Sequence, residues 1–107
     1  MFVGYGALEL LLPHAQDLKS KRRIVHGLVE RLHARYRLSV AETGHQDLLQ
    51  RAEVGVAVVA KSAAEVERIL DEVGRVAGND SEAVLLGWEP TVVEGDDYDE
   101  DDEDDGE

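Results

Sequence analysis

Acidic side chains crowd the carboxyl end of this 107-residue chain, and they limit how much of it can fold. Of the 24 aspartates and glutamates, eleven lie in residues 94–107, a segment that holds no lysine or arginine. So many like charges with so few apolar residues bury too little surface to offset the entropy of ordering, and we expect this tail to be disordered. The fold is therefore expected from residues 1–93, a length that suits a single domain.

Apolar patterns within residues 1–93 predict alternating strands and helices. Four runs have the composition of strands: residues 2–12, 38–43, 52–60 and 83–93. Asp17 is a good N-cap for a helix that runs to about Arg35, and Ser62 with Glu65 forms a capping box for a second helix that ends at Gly78. Pro90 cannot donate to a ladder, so it places the last strand at an edge of the sheet.

The order strand, helix, strand, strand, helix, strand predicts a four-stranded antiparallel sheet with both helices on one face, the ferredoxin-like α+β arrangement. Two helices leave the other face uncovered. One of two apolar sets then lies at its centre: Gly55, Ala57 and Val59, or Val54, Val56 and Val58. An open apolar face normally has a partner, and we expect a homodimer joined through the sheet or an edge strand.

Three glycines inside these elements predict close approaches. Gly4 and Gly6 interrupt the first strand, which indicates a bulge or the packing of another backbone over that face. Gly27 in the first helix costs about 1 kcal/mol relative to alanine, so we expect a neighbouring element to pack closely there.

Positive charge is concentrated between Asp17 and Arg51, where eight basic residues face four acidic ones. Four of the bases lie in the first turns of the first helix: Lys19, Lys21, Arg22 and Arg23. Cations beside the free N–H groups of a helix start suit the phosphates of a polyanion. Further along, Arg31, Arg35 and Arg37 could extend the patch. Alternatively these residues form a solvated face, with Lys21 extended along it or paired with a carboxylate such as Glu42.

The connection between the second and third strands carries a second polar group. His45, Gln46 and Arg51 combine an imidazole, an amide and a guanidinium, which read bases or phosphates well. The alternative is a structural loop whose polar groups bond its own backbone, with Leu48 and Leu49 folded underneath. His45 with Asp47 also resembles a general-base pair, but no nucleophile accompanies them.

Other site chemistries find little support. His26, Glu30 and His33 share a helix face at ligand spacing, but the face is expected to be exposed and a fourth metal ligand is missing. The chain has no cysteine, which excludes disulfides and thiolate sites. We see no signal peptide and no membrane-length apolar run. We therefore expect a cytoplasmic protein that is not an enzyme and needs no metal or cofactor.

The chain resembles the YlxP-like family, small bacterial proteins of unknown biochemical function. Five blocks between residues 2 and 93 carry the resemblance: Leu11–Pro13, Leu18–Arg23, Leu38–Glu42, His45–Leu48 and Gln50–Ala52. The family usually has serine where this chain has Asp17, and both residues can cap a helix. The resemblance implies a ferredoxin-like fold and a gene location beside translation initiation and ribosome-maturation factors. The acidic tail is not part of the family pattern.

Two functions are consistent with these features. The first is a non-enzymatic RNA- or ribosome-associated module that binds phosphates through the basic helix start, with the tail as a tethered competitor. The second is a dimeric protein-interaction or ligand-sensing module that uses the open sheet face and binds no nucleic acid. A fold of this kind hosts many activities and does not discriminate between them.

Overall fold

A computed structural model describes residues 1–96 of the chain. Its elements are β1 (Phe2–Leu11), α1 (Leu18–Arg35), β2 (Ser39–Gly44), β3 (Arg51–Ala60), α2 (Ala63–Gly78), β4 (Val84–Gly87) and β5 (Thr91–Glu94). The predicted ferredoxin-like α+β fold is confirmed, and the strand and helix bounds agree with the sequence patterns to within one residue except at the last strand. The disorder predicted for the tail falls, beyond Asp96, outside the described residues.

The sheet is antiparallel with the order β2-β3-β1-β4, and β5 also pairs with β1. β1 and β3 are paired along their whole length, from Phe2 opposite Ala60 to Leu11 opposite Arg51. They form the centre of the sheet, as their apolar composition predicts. Among residues 1–96, no helix is long and apolar enough to cross a membrane.

The last predicted strand is two strands. β4 pairs with the end of β1 and β5 with its beginning, and Trp88, Glu89 and Pro90 lie between them. Proline cannot continue the ladder, so the strand breaks where the chain crosses the middle of β1. Glu94, the first acidic residue of the tail, belongs to β5 and pairs with Phe2. The last strand therefore extends one residue into the segment that the composition assigns to the tail.

Helix α1 begins with a reciprocal cap and packs one stripe on the sheet. The side chain of Asp17 accepts a hydrogen bond from the backbone N–H of Ser20 at 2.7 Å, as its predicted N-cap role requires. The buried stripe is Lys21, Ile24, Val25, Leu28 and Leu32. Leu18, the first residue of the helix, is 48% exposed, because the stripe begins one turn later.

Glycines in β1 allow the helical layer to lie close to the sheet. A Cβ atom on Gly4 would lie 2.4 Å from Val66 Cγ1 of α2, and one on Gly6 would lie 3.0 Å from the backbone of Pro90. The predicted packing of another backbone is present at Gly6, whereas the atoms close to Gly4 belong to the side chains of Val66 and Leu70. Trp88 fills the space beside Gly6 and donates a hydrogen bond from Nε1 to the carbonyl of Leu70 at 3.1 Å.

The same prediction for Gly27 is wrong. The nearest atom to a Cβ atom placed there would be Arg31 Nη1 at 3.7 Å, an ordinary contact with a flexible side chain. Nothing packs closely against this position, so its glycine only weakens the helix.

We predict opposite effects for two glycine-to-alanine substitutions. Gly27→Ala should raise the free energy of unfolding by about 1 kcal/mol, because it improves helix propensity without a clash. Gly4→Ala should lower it by about 1–3 kcal/mol, because α2 must shift to admit the methyl group. Urea denaturation of the two variants and the wild type measures both. Destabilisation by Gly27→Ala, or a neutral Gly4→Ala, would contradict the packing described.

Candidate functional site

Lys21 is a buried cation at the start of the stripe that α1 packs on the sheet. Its side chain is 4% exposed, and its Nζ lies 3.2 Å from Glu42 Oε2 on β2. The same Nζ donates to the backbone carbonyls of His45 at 2.7 Å and Leu48 at 2.6 Å. The pairing with Glu42 that the sequence offered as an alternative is therefore present. Lys21 is unavailable to an external phosphate.

The loop from 45 to 50 is built around this ammonium group. His45 adopts the left-handed conformation with φ of 61°, and it is the one non-glycine residue of the described chain with positive φ. Its carbonyl accepts from Lys21 and from the N–H of Leu48, which closes a turn. Gln50 ties the loop to the turn after β1, because its carbonyl accepts from Leu12 N–H at 2.9 Å and its Nε2 donates to Pro13 O at 3.3 Å.

This arrangement supports the structural interpretation of the loop, with one difference. Leu48 and Leu49 are 46% and 37% exposed, so they do not fold underneath it. Lys21, from another element, provides the anchor that the leucines were expected to provide. The imidazole of His45 contacts Glu9, and no hydrogen bond or ion pair joins it to Asp47 in the described structure.

Arg23 is also paired within the domain. Its two terminal nitrogens donate to the two carboxylate oxygens of Glu82, both at 2.9 Å. This hydrogen bonding, with the positive charge of Arg23, holds the pKa of Glu82 below its usual value. Both side chains are well exposed, so the pair adds little stability, but it neutralises Arg23 and joins α1 to the segment after α2.

His45 and Arg51 meet at a carboxylate on the open face of the sheet. Glu9 Oε1 lies 3.0 Å from His45 Nε2 and accepts from Arg51 Nη2 at 3.2 Å. Partial desolvation raises the pKa of Glu9, but contacts with His45, Glu53 and Arg51 outweigh it, so the pKa lies below its usual value. Thr43 donates to Glu53 at 2.7 Å beside them. These five residues form a polar end to the open face.

Three of the predicted site residues remain without a partner. The side chains of Lys19, Arg22 and Gln46 make no hydrogen bond or ion pair with any residue in 1–96. The seven residues predicted to bind nucleic acid are thus divided by the fold. Lys21 is buried, Arg23 pairs with Glu82, and His45 and Arg51 share Glu9.

The open face itself is apolar over most of its area. Alternation along β3 places Val54, Val56 and Val58 against the helices, so the first of the two predicted sets, Gly55, Ala57 and Val59, faces outward. Nine large apolar side chains are exposed in the described chain, and five of them lie on this face: Tyr5, Val59, Val84, Leu86 and Val93. No element of residues 1–96 covers them.

The partners of the cations were not recognised from the sequence. Glu82 lies 59 positions from Arg23, and Glu9 lies 42 positions from Arg51. Only the outward position of Glu9 in an alternating strand could have indicated a polar neighbour. His26 and Glu30 approach within 3.8 Å on an exposed helix face, and no group of three potential metal ligands occurs in residues 1–96.

Comparisons with known proteins give a family without an assigned activity. A family model described as "Protein of unknown function (DUF503)" matches residues 3–89. The chain is similar to "Uncharacterized protein YlxP" from Bacillus subtilis (strain 168), with 31% identity over 71 residues, 66% of this chain and 77% of that protein.

One solved structure is a distant likeness. It is a C-terminal segment of the alpha subunit of aIF2 from Pyrococcus abyssi, with 12% identity and a TM-score of 0.44. The match covers 92% of this chain and about half, 52%, of that one.

We predict that Lys21 contributes far more to stability than its neighbour Arg23. Lys21→Met should lower the free energy of unfolding by about 3 kcal/mol, because it leaves Glu42 and two partly buried carbonyls without a cation. Arg23→Met, which breaks an exposed pair, should cost at most about 1 kcal/mol. Urea denaturation compares the two.

A double variant identifies the source of the loss. Adding Glu42→Gln to Lys21→Met should recover part of the stability, because the uncompensated charge is removed while the loop carbonyls stay unbonded. A Lys21→Met variant as mild as Arg23→Met would show that the buried contacts are not what holds the loop.

Proposed function

We propose that this chain, which belongs to the DUF503 family of proteins of unknown function, is a protein-interaction module that acts as a homodimer joined through the open face of its sheet. The observation that carries the proposal is the concentration of exposed apolar side chains there, five of the nine in residues 1–96. Clusters of this kind on a soluble surface mark interaction sites. A second copy of the chain is the partner that the face fits best.

The size of the face is sufficient for a dimer. Two central strands of ten residues extend about 33 Å, and four strands side by side span about 19 Å, so each copy offers about 600 Å². Two copies would bury about 1,200 Å², at the lower limit for a specific interface.

The open face also has a bulky half and a small half, which are complementary when two copies of the chain stack. On the β1, β4 and β5 half, bulky side chains project, among them Tyr5, Leu86 and Val93. On the β2 and β3 half, the outward residues at the centre are small, including Ala41, Gly55 and Ala57, and the large exposed Val59 lies at the end of β3. A two-fold axis parallel to the strands would lay the bulky half of one copy over the small half of the other, as a self-complementary interface requires.

RNA association is a second candidate, and one observation favours it. Lys19 and Arg22 lie in the first turns of α1 with no carboxylate partner in residues 1–96, so both are available to phosphates. With Lys21 and Arg23 already neutralised, the helix start offers about two phosphate contacts instead of four or more. That number supports weak, salt-sensitive binding.

We predict that charge on the open face abolishes dimerisation. Tyr5→Glu combined with Leu86→Glu should raise the dimer dissociation constant at least about 100-fold, because it buries unpaired carboxylates. The matched control is Leu18→Glu with Leu49→Glu, which changes two equally exposed apolar residues outside the face. Sedimentation velocity of the full chain over a concentration series measures this. A wild type that stays monomeric at high concentration, or a control that dissociates as readily, would contradict the proposal.

For the RNA candidate, we predict an effect confined to two cations. Binding of the wild type to ribosomal subunits should give a slope of log K against log salt of about −2, and Lys19→Glu with Arg22→Glu should abolish the co-sedimentation. Arg37→Glu with Lys61→Glu gives the same change in charge elsewhere on the surface. Equal losses in both variants, or none in the first, would remove the helix start as an RNA site.

A further inference from the structure

A cleft of about 600 Å³ lies between the two helices on the surface away from the sheet. Arg31 and Arg35 of α1 and Arg75 of α2 line it, together with Tyr36, Glu72 and Asn79. These residues are distant in the sequence and come together only because α1 packs against α2. Neither the basic helix start nor the open face includes any of them.

The cleft holds more positive charge than the domain neutralises. Arg31 is paired with Asp80, but Arg35 and Arg75 make no ion pair with residues 1–96. The carboxylate of Glu72 is engaged by the Tyr36 hydroxyl, which is the main cause of its lowered pKa, and by Arg68 at 3.2 Å. Arg35 is hydrogen-bonded to the Tyr36 hydroxyl, and the positive charge of Arg75 acts on Glu72, a carboxylate that Arg68 already shares. The cleft therefore holds more guanidinium groups than carboxylates, an arrangement that recruits further carboxylates.

We propose that the acidic tail of the same chain, residues 97–107, binds in this cleft. Nine of its eleven residues are aspartate or glutamate and none is basic. A tether this short gives an effective concentration in the millimolar range, so even weak carboxylate contacts become populated. The negative charge of the tail thus complements the positive charge of the cleft.

The point from which the tail departs allows this contact. The N–H of Gly95 donates to the carbonyl of Met1 at 2.8 Å, which fixes the tail root at the end of the sheet where β1 begins. α2 starts at that same end, because Ala60 lies opposite Phe2 and the helix follows at Ala63. Residues 72–79 are then about 14–24 Å along α2. Eleven extended residues reach about 36 Å, enough to cross the helix and enter the cleft.

The same geometry disfavours the basic start of α1 as the place where the tail binds. That helix start follows Leu11, at the opposite end of a ten-residue strand, about 33 Å from the tail root. Because residues 94–96 are anchored, the remaining eleven would have to be almost fully stretched to arrive there. The tail therefore belongs to the inter-helix cleft, and Lys19 and Arg22 stay free of it.

A spin label tests this in the full chain. The protein has no cysteine, so Gly106→Cys gives a single attachment site near the end of the tail. We expect the backbone amide signals of Tyr36 and Asn79 to lose intensity compared with the reduced label, and those of Leu18 and Ser20 to keep it. In 1 M salt, where the Debye length is about 3 Å, the effect should disappear.

Two charge-matched variants decide the location. Arg35→Glu with Arg75→Glu should abolish the broadening at Tyr36 and Asn79, whereas Lys19→Glu with Arg22→Glu, an identical change in charge, should preserve it. Broadening that survives the first variant, moves to Leu18 and Ser20, or spreads evenly over the surface would overturn the proposal. So would broadening in a mixture of isotope-labelled chain without the spin label and spin-labelled chain without isotope, since the contact is intramolecular.

Discussion

The burial of one ammonium group at Lys21 determines how the β2–β3 loop is arranged beside the end of β1. Its position at the beginning of the buried stripe of α1 would normally hold an aliphatic side chain. A buried charge is tolerated only with partners, and Lys21 finds them in Glu42 and the carbonyls of His45 and Leu48. The β2–β3 loop folds around this charge, which holds His45 in the left-handed conformation and places its ring beside Glu9. The polar end of the open face is thus a consequence of a contact made on the other side of the sheet.

Local patterns were enough to predict the element order as far as the last strand, both helix caps and the ferredoxin-like topology, because those depend on spacing within about twenty residues. The pairing of Lys21 with Glu42 could be offered as one of two alternatives. The candidate site was less accessible. Whether a basic residue is free depends on carboxylates such as Glu82 and Glu9, which reach their partners only after helices and strands have packed. The glycines show a second limit of the sequence. Gly4 is required by the close packing of α2 and Gly27 is not, but the sequence alone does not distinguish the two.

The fold places apolar and charged surface on different sides of the domain, which the composition alone does not reveal. The uncovered face of the sheet is mostly apolar, while the helical layer carries Arg35 and Arg75, which form no ion pair within residues 1–96. An apolar face favours association through buried area, and a charged face favours weak contacts that respond to salt. The proposed dimer and the proposed tail contact therefore rely on different physical interactions. Added salt would weaken the tail contact by screening its charges, whereas it would not weaken the apolar dimer contact in this way.

These two surfaces lie on opposite sides of the domain, and the tail departs from neither. It begins at β5, on the edge of the sheet, where Glu94 pairs with Phe2. A second copy stacked on the open face would leave the helical layer of each subunit in solvent, so the cleft at Arg35 and Arg75 would remain accessible in the dimer. A tail directed into that cleft would also keep its carboxylates away from the apolar face beside β5. On this arrangement, docking of the tail and dimerisation are compatible, because binding in the cleft removes a polyanion from the edge of an apolar interface.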